Sequence, residues 1–111
     1  MEFDAARQIV LAEGMGENGI VVSVRMGDIP SSDRMAPLLT ALETVYRNLQ
    51  GQNTIDRDLA NALHGLTFHI QGDINGMLGR GITIPKRFIA DEMVRLFLLA
   101  ESILEDEWML D

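Results

Sequence analysis

At 111 residues, with 47% apolar and 23% charged side chains, the chain fits one globular domain with a core of its own rather than a disordered segment. It contains no cysteine, which removes disulfides, thiolate metal sites and cysteine nucleophiles. A formal charge of −8 disfavours phosphate backbones and anionic lipid, so neither nucleic acid nor membrane is expected as a partner, and a basic protein is the better electrostatic match.

The first predicted element is a β-hairpin over residues 9–26. Asn18-Gly19 is the dipeptide that a two-residue type I′ turn prefers, because both central residues need positive φ. The run Ile20 to Met26 is rich in β-branched residues, with Ile20, Val22, Val24 and Met26 on one face. Ile9 to Met15 supplies the partner strand, and centring the turn on Asn18-Gly19 sets Met15 opposite Val22 and Leu11 opposite Met26. A competing pattern makes Asp4 to Glu13 a short helix with Phe3, Ala6, Ile9 and Val10 inward. The hairpin is preferred from Ile9 onward, and residues 3–8 stay open.

Three helices follow. Ile29-Pro30-Ser31-Ser32-Asp33 breaks the strand and offers caps for a helix over 32–50, whose apolar stripe is Met35, Leu38, Leu39, Leu42, Val45, Tyr46 and Leu49. Pro37 is expected in its first turn. Thr54 is the expected N-cap of a second helix over 54–79, with Asp56 and Asp58 in its acidic first turn. Ile55, Leu59, Leu63, Leu66, Ile70, Ile74 and Met77 advance by three or four residues, which predicts one continuous helix, a break near Gly72 being the alternative. Gly65, Gly72, Gly76 and Gly79 gather on its other side. Each costs about 1 kcal/mol against alanine in a helix interior, and several on one face signal close approach by another backbone. Pro85 opens a third helix over 85–107, so apolar around its middle that it needs cover on more than one side. The expected fold class is therefore mainly α (α+β): a three-helix core with an N-terminal β-hairpin, residues 1–111 forming a single domain. The unused glycine face and the over-apolar last helix predict a homodimer, with Gly72 and Gly76 or the hairpin edge near the interface.

Chemistry is sparse. His64 and His69 are five residues apart, about 140° around an α-helix, and so are not expected to share a metal. His69 and Asp73 are four apart but lack a third ligand. No serine nucleophile motif, phosphate loop or complete calcium loop is present. No catalytic residue, metal or cofactor is expected. Two surfaces stand out. Arg80, Lys86 and Arg87 surround the start of the last helix, where a helix N-terminus with nearby cations suits an anion or an acidic partner group. Glu105, Asp106 and Trp108 belong to an acidic C-terminal segment whose tryptophan suits a basic, apolar groove, unless Trp108 and Leu110 fold back onto the core. The N-terminal residues are acidic where a secretory signal is basic, and Met93 to Ala100 is too short to span a bilayer, so a cytoplasmic location is expected. Together these features point to a small acidic non-enzymatic interaction module, such as an adaptor, chaperone, inhibitor or immunity-type binder. The alternative is a small-molecule or anion-binding domain, enzymatic or not, built on Arg80, Lys86 and Arg87.

Overall fold

The N-terminal segment is helical in the computed structural model, which describes residues 1–111: α1 spans Phe3–Met15 and α2 spans Ile20–Arg25. The hairpin expected over 9–26 is absent, and the chain has no strand at all. The α+β expectation is corrected to all-α. Ala6 and Val10 are buried along α1, with Phe3, Ile9 and Leu11 packed at the edge of the core. In α2 the buried residues are Ile20, Val21 and Val24, a helical face. Met26, which the strand would have turned inward with Ile20, is 79% exposed.

The Asn18-Gly19 corner explains the outcome. Gly19 adopts φ −76°, ψ 168°, outside the positive-φ region that a type I′ turn requires. Glycine is needed there for closeness instead, since a Cβ would stand 2.5 Å from the carbonyl oxygens of both Ala12 and Glu13. Arg34 then clamps the corner. Its Nη1 donates to Ser23 Oγ (3.1 Å), and its Nη2 donates to Glu13 Oε1 (3.0 Å) and to the Asn18 carbonyl (2.6 Å). Glu13 Oε1 also accepts from the Ile20 amide at 3.1 Å, serving an N–H that the first turn of α2 leaves without a helical partner. These contacts and the burial of one helical face override the local β-propensity of the Ile-Val-Val run.

Helix α3 spans Ser32–Leu49, with the Ser31 side chain accepting from the Arg34 amide. It buries Met35, Leu38, Ala41, Leu42, Val45 and Tyr46. Pro37 is its sixth residue, a turn deeper than expected, on the exposed side. Helix α4 spans Arg57–His64 and is capped by Asp56 rather than Thr54, Asp56 Oδ1 accepting from the Leu59 amide at 2.8 Å. A π turn, Gly65–His69, leads directly into α5, Ile70–Gly79. The flanking His64 and Ile70 keep right-handed helical dihedrals, so the rod is unbroken from Arg57 to Gly79, including at Gly72. Thr67 Oγ1 donates to the carbonyls of Leu63 (2.9 Å) and His64 (3.2 Å), occupying acceptors where the wider turn shifts the backbone ladder. A second π turn, Phe88–Glu92, leads into α6, Met93–Glu105, which ends at Asp106 with φ 53°. None of the helices is long and apolar enough to cross a membrane.

α1 packs against α3 and α4, α3 against α6, and α2 against α5. Phe88, Met35, Leu42, Leu66 and Leu99 are inaccessible to solvent. At the α1–α4 crossing the backbones nearly touch: a Cβ on Gly14 would lie 2.7–2.8 Å from Ala62, and one on Gly65 would lie 2.9 Å from the Gly14 carbonyl oxygen. Part of the glycine face is thus used inside the chain.

Arg7 locks α1 to the start of α4, with Nε and Nη2 donating to the two oxygens of Asp56 at 3.0 Å each. The Arg7 hydrogen bonds, helped by the Leu59 amide, hold the Asp56 carboxyl below its ordinary range. A carboxyl depressed in the folded state stabilises it above the unfolded-state value, about 3.9, and that contribution is lost as pH falls through the folded-state value. Asp56→Asn should therefore be less stable than the parent at pH 7 in urea unfolding, with a narrower gap at pH 3, below the unfolded-state value. Asp56→Ala, which also loses the cap, should be weaker by about a further 1 kcal/mol at either pH. A pH-independent gap between the parent and Asp56→Asn would count against the assignment.

Candidate interaction surface

The rod from Arg57 to Gly79 buries Leu59, Leu63, Leu66, Ile70, Ile74 and Met77 along one side. Its other side carries Phe68, Gly72, Asn75 and Gly79 toward solvent, one exposed face at helical spacing. Phe68 is 65% exposed, unusual for a phenylalanine. A Cβ added at Gly72 or Gly79 would meet nothing within 4 Å. Gly76 differs: its Cβ position lies 3.5 Å from Arg80 Nη1, so the Arg80 side chain partly covers it. Between His64 and Gly79 the only formally charged residue is Asp73. Its Oδ2 lies 3.5 Å from Arg25 Nε, an ion pair without a hydrogen bond to that buried oxygen. The exposed face is thus neutral, apolar at its Phe68 end and free of side-chain bulk at Gly72, on a molecule of charge −8.

The π turn alters the histidines. On an α-helix His64 and His69 would diverge, but i→i+5 hydrogen bonding brings residues five apart onto one side. Their ring centres are 5.3 Å apart, nearly perpendicular at 82°. Phe68 lies flat against His64 at 5.1 Å and 13°, and edge-on to His69 at 5.8 Å. All three side chains are exposed. The expectation that the two histidines face apart is corrected, since it assumed an uninterrupted α-helical pitch.

The second π turn makes the same i, i+5 juxtaposition with different residues. Arg87 Nη1 pairs with Glu92, which is 8% exposed, and Arg87 Nη2 donates to the Pro30 carbonyl at 3.0 Å. Arg87 is therefore a clamp between the last helical segment and the loop before α3. Arg80 caps the end of α5, and Lys86 is exposed at the start of the last helical segment. The three cations expected to act together do not share one role.

The C-terminal segment folds back. Asp106 Oδ2 accepts from the Gly51 amide at 3.0 Å, and Ser102 Oγ accepts from the Met109 amide at 2.9 Å. Trp108 packs on Tyr46 with ring centres 5.2 Å apart, and Leu110 rests against the core. Glu105, the last residue of α6, stays in solvent. Of the residues expected at a partner interface, Gly72 and Glu105 are open, Gly76 is partly covered, and Trp108 and Asp106 hold the tail in place. No pocket opens in the surface. No protein-family model, no curated protein and no solved structure matches the chain.

Proposed function

We propose that this chain is a small acidic, non-enzymatic interaction module that pairs with a second copy of itself through the exposed face of the π turn and α5, Phe68 to Gly79. The observation that carries the reading is the neutral Phe68–Gly72–Gly79 face on a molecule of charge −8. Two copies repel wherever their acids meet, and this face lets them approach without bringing like charges together. Phe68 supplies an aromatic anchor of the kind enriched at interface centres. The open space at Gly72 admits a neighbouring helix at close range. A two-fold axis through this face repeats one contact twice, the commonest closed arrangement. The acids outside the face, Glu105 among them, then remain available to a basic protein partner. The anion-binding alternative is weaker because Arg87 is committed to Glu92 and the Pro30 carbonyl.

Light scattering at high micromolar concentration should report a dimer. A species of about the chain mass, 12.3 kDa, at that concentration would reject the reading. Gly72→Leu should weaken association at least tenfold, while Asn75→Ala should change it less than threefold, equivalent to about 1.4 and under about 0.7 kcal/mol. Equal effects would move the interface off this face.

A further inference from the structure

The pair of histidines has no evident structural duty. The matching pair on the other π turn, Arg87 and Glu92, joins two parts of the fold, whereas His64 and His69 touch each other and Phe68 at the surface. Neither imidazole enters any of the chain's ion pairs. π turns inside α-helices are frequent at functional sites because the inserted residue re-aims its neighbours.

From this geometry we infer that His64 and His69 are half of a divalent transition-metal site, completed by the same two residues of a second copy. The inference rests on the self-association reading above. With zinc–nitrogen bonds of about 2.0–2.1 Å, two imidazoles at a tetrahedral angle have ring centres about 5 Å apart. The two rings stand at 5.3 Å, the separation that two imidazole ligands of one ion need. The site is incomplete in one chain, because no group of three His, Cys, Asp or Glu side chains converges anywhere in it. A two-fold axis near Phe68 supplies the missing pair and gives four nitrogen ligands, a donor set suited to zinc. Phe68, flat against His64, fixes that ring in place, and Gly72, one turn further along, leaves room for the partner helix. The charge balance favours the same arrangement: a doubly charged cation between two chains of −8 each offsets part of their repulsion.

The test uses the full chain stripped of metal, titrated with zinc ion alone, and read by sedimentation velocity with the bound metal counted in the dimer fraction. The expected result is one zinc per two chains and a dimer dissociation constant at least tenfold lower than without metal. His64→Ala and His69→Ala should each keep the parent's circular dichroism spectrum but lose the zinc response, each variant's association being the same with zinc as without it. One zinc per chain with no change in association would overturn the shared site. So would a zinc response that survives His69→Ala. A chain that dimerises without metal and ignores zinc overturns this inference alone and leaves the self-association reading standing. A chain that stays monomeric with and without zinc overturns both.

Discussion

Gly14→Val should destabilise the chain by about 3 kcal/mol, lowering the midpoint of thermal unfolding by at least about 10 °C. Helix propensity pulls the other way, since replacing glycine inside a helix gains up to about 1 kcal/mol. Contact decides the sign. The first carbon of any side chain at Gly14 would sit 2.7–2.8 Å from the carbonyl oxygen, Cα and Cβ of Ala62. No rotamer relieves that overlap, because two of the three atoms are backbone. The crossing of α1 over α4 must open, and the contacts of Val10 and Leu59 beyond it suffer. Gly72→Ala is the control: its Cβ meets nothing within 4 Å, so it should stabilise the monomer by about 0.5–1 kcal/mol. If both substitutions shifted the midpoint in the same direction, the close crossing at Gly14 would be wrong.

Arg87→Met should cost about 2–3 kcal/mol in urea unfolding, because it strands the carboxylate of Glu92 in a nearly inaccessible position. Removing one partner of a fully buried pair costs about 3–5 kcal/mol. The expected loss is smaller here because the Arg87 side chain is 40% exposed. The Pro30 carbonyl loses its donor as well. The double variant Arg87→Met, Glu92→Leu should recover most of the loss, since an apolar pair of similar volume is often as stable as a buried ion pair. A single-variant loss below about 0.5 kcal/mol, the level of an exposed pair, would count against the clamp and leave Arg87 free for the anion-binding alternative.

Periodicity carried much of the helical architecture. The stripe from Met35 to Leu49 recurs at helical spacing, and α3 occupies Ser32–Leu49 with Met35, Leu38, Leu42, Val45 and Tyr46 buried and Leu39 and Leu49 half-buried. A pattern of this length leaves a chain one economical way to hide its apolar side. The same holds for the rod through Gly72: regular spacing from Leu59 to Met77 outweighs the weak helix preference of its glycines, because six buried side chains oppose a cost of about 1 kcal/mol per glycine.

Tertiary structure decided the rest, and in each case a distant residue settled a local tie. Ile20 to Val24 has strand propensity and a hairpin dipeptide before it, but Arg34, eleven or more residues away, and Glu13 hold that corner as a helix-to-helix turn. Sequence distance hides such a clamp, and local preference worth about 1 kcal/mol over its whole scale gives way to it. The histidines were misplaced for a related reason. Their angular separation follows from the helical pitch, and the pitch changes where the rod packs between α1, α2 and α6 at the π turn. The apolar spacing carries no trace of that wider turn: from Ile55 to Met77 the steps run four, four, three, four, four, three, an ordinary helical rhythm. Composition determined the acidity and the absence of thiol chemistry outright, because those need no geometry. Which exposed face is neutral, which arginine is already paired and which glycines are open depend on who packs against whom, and only the folded chain decides that.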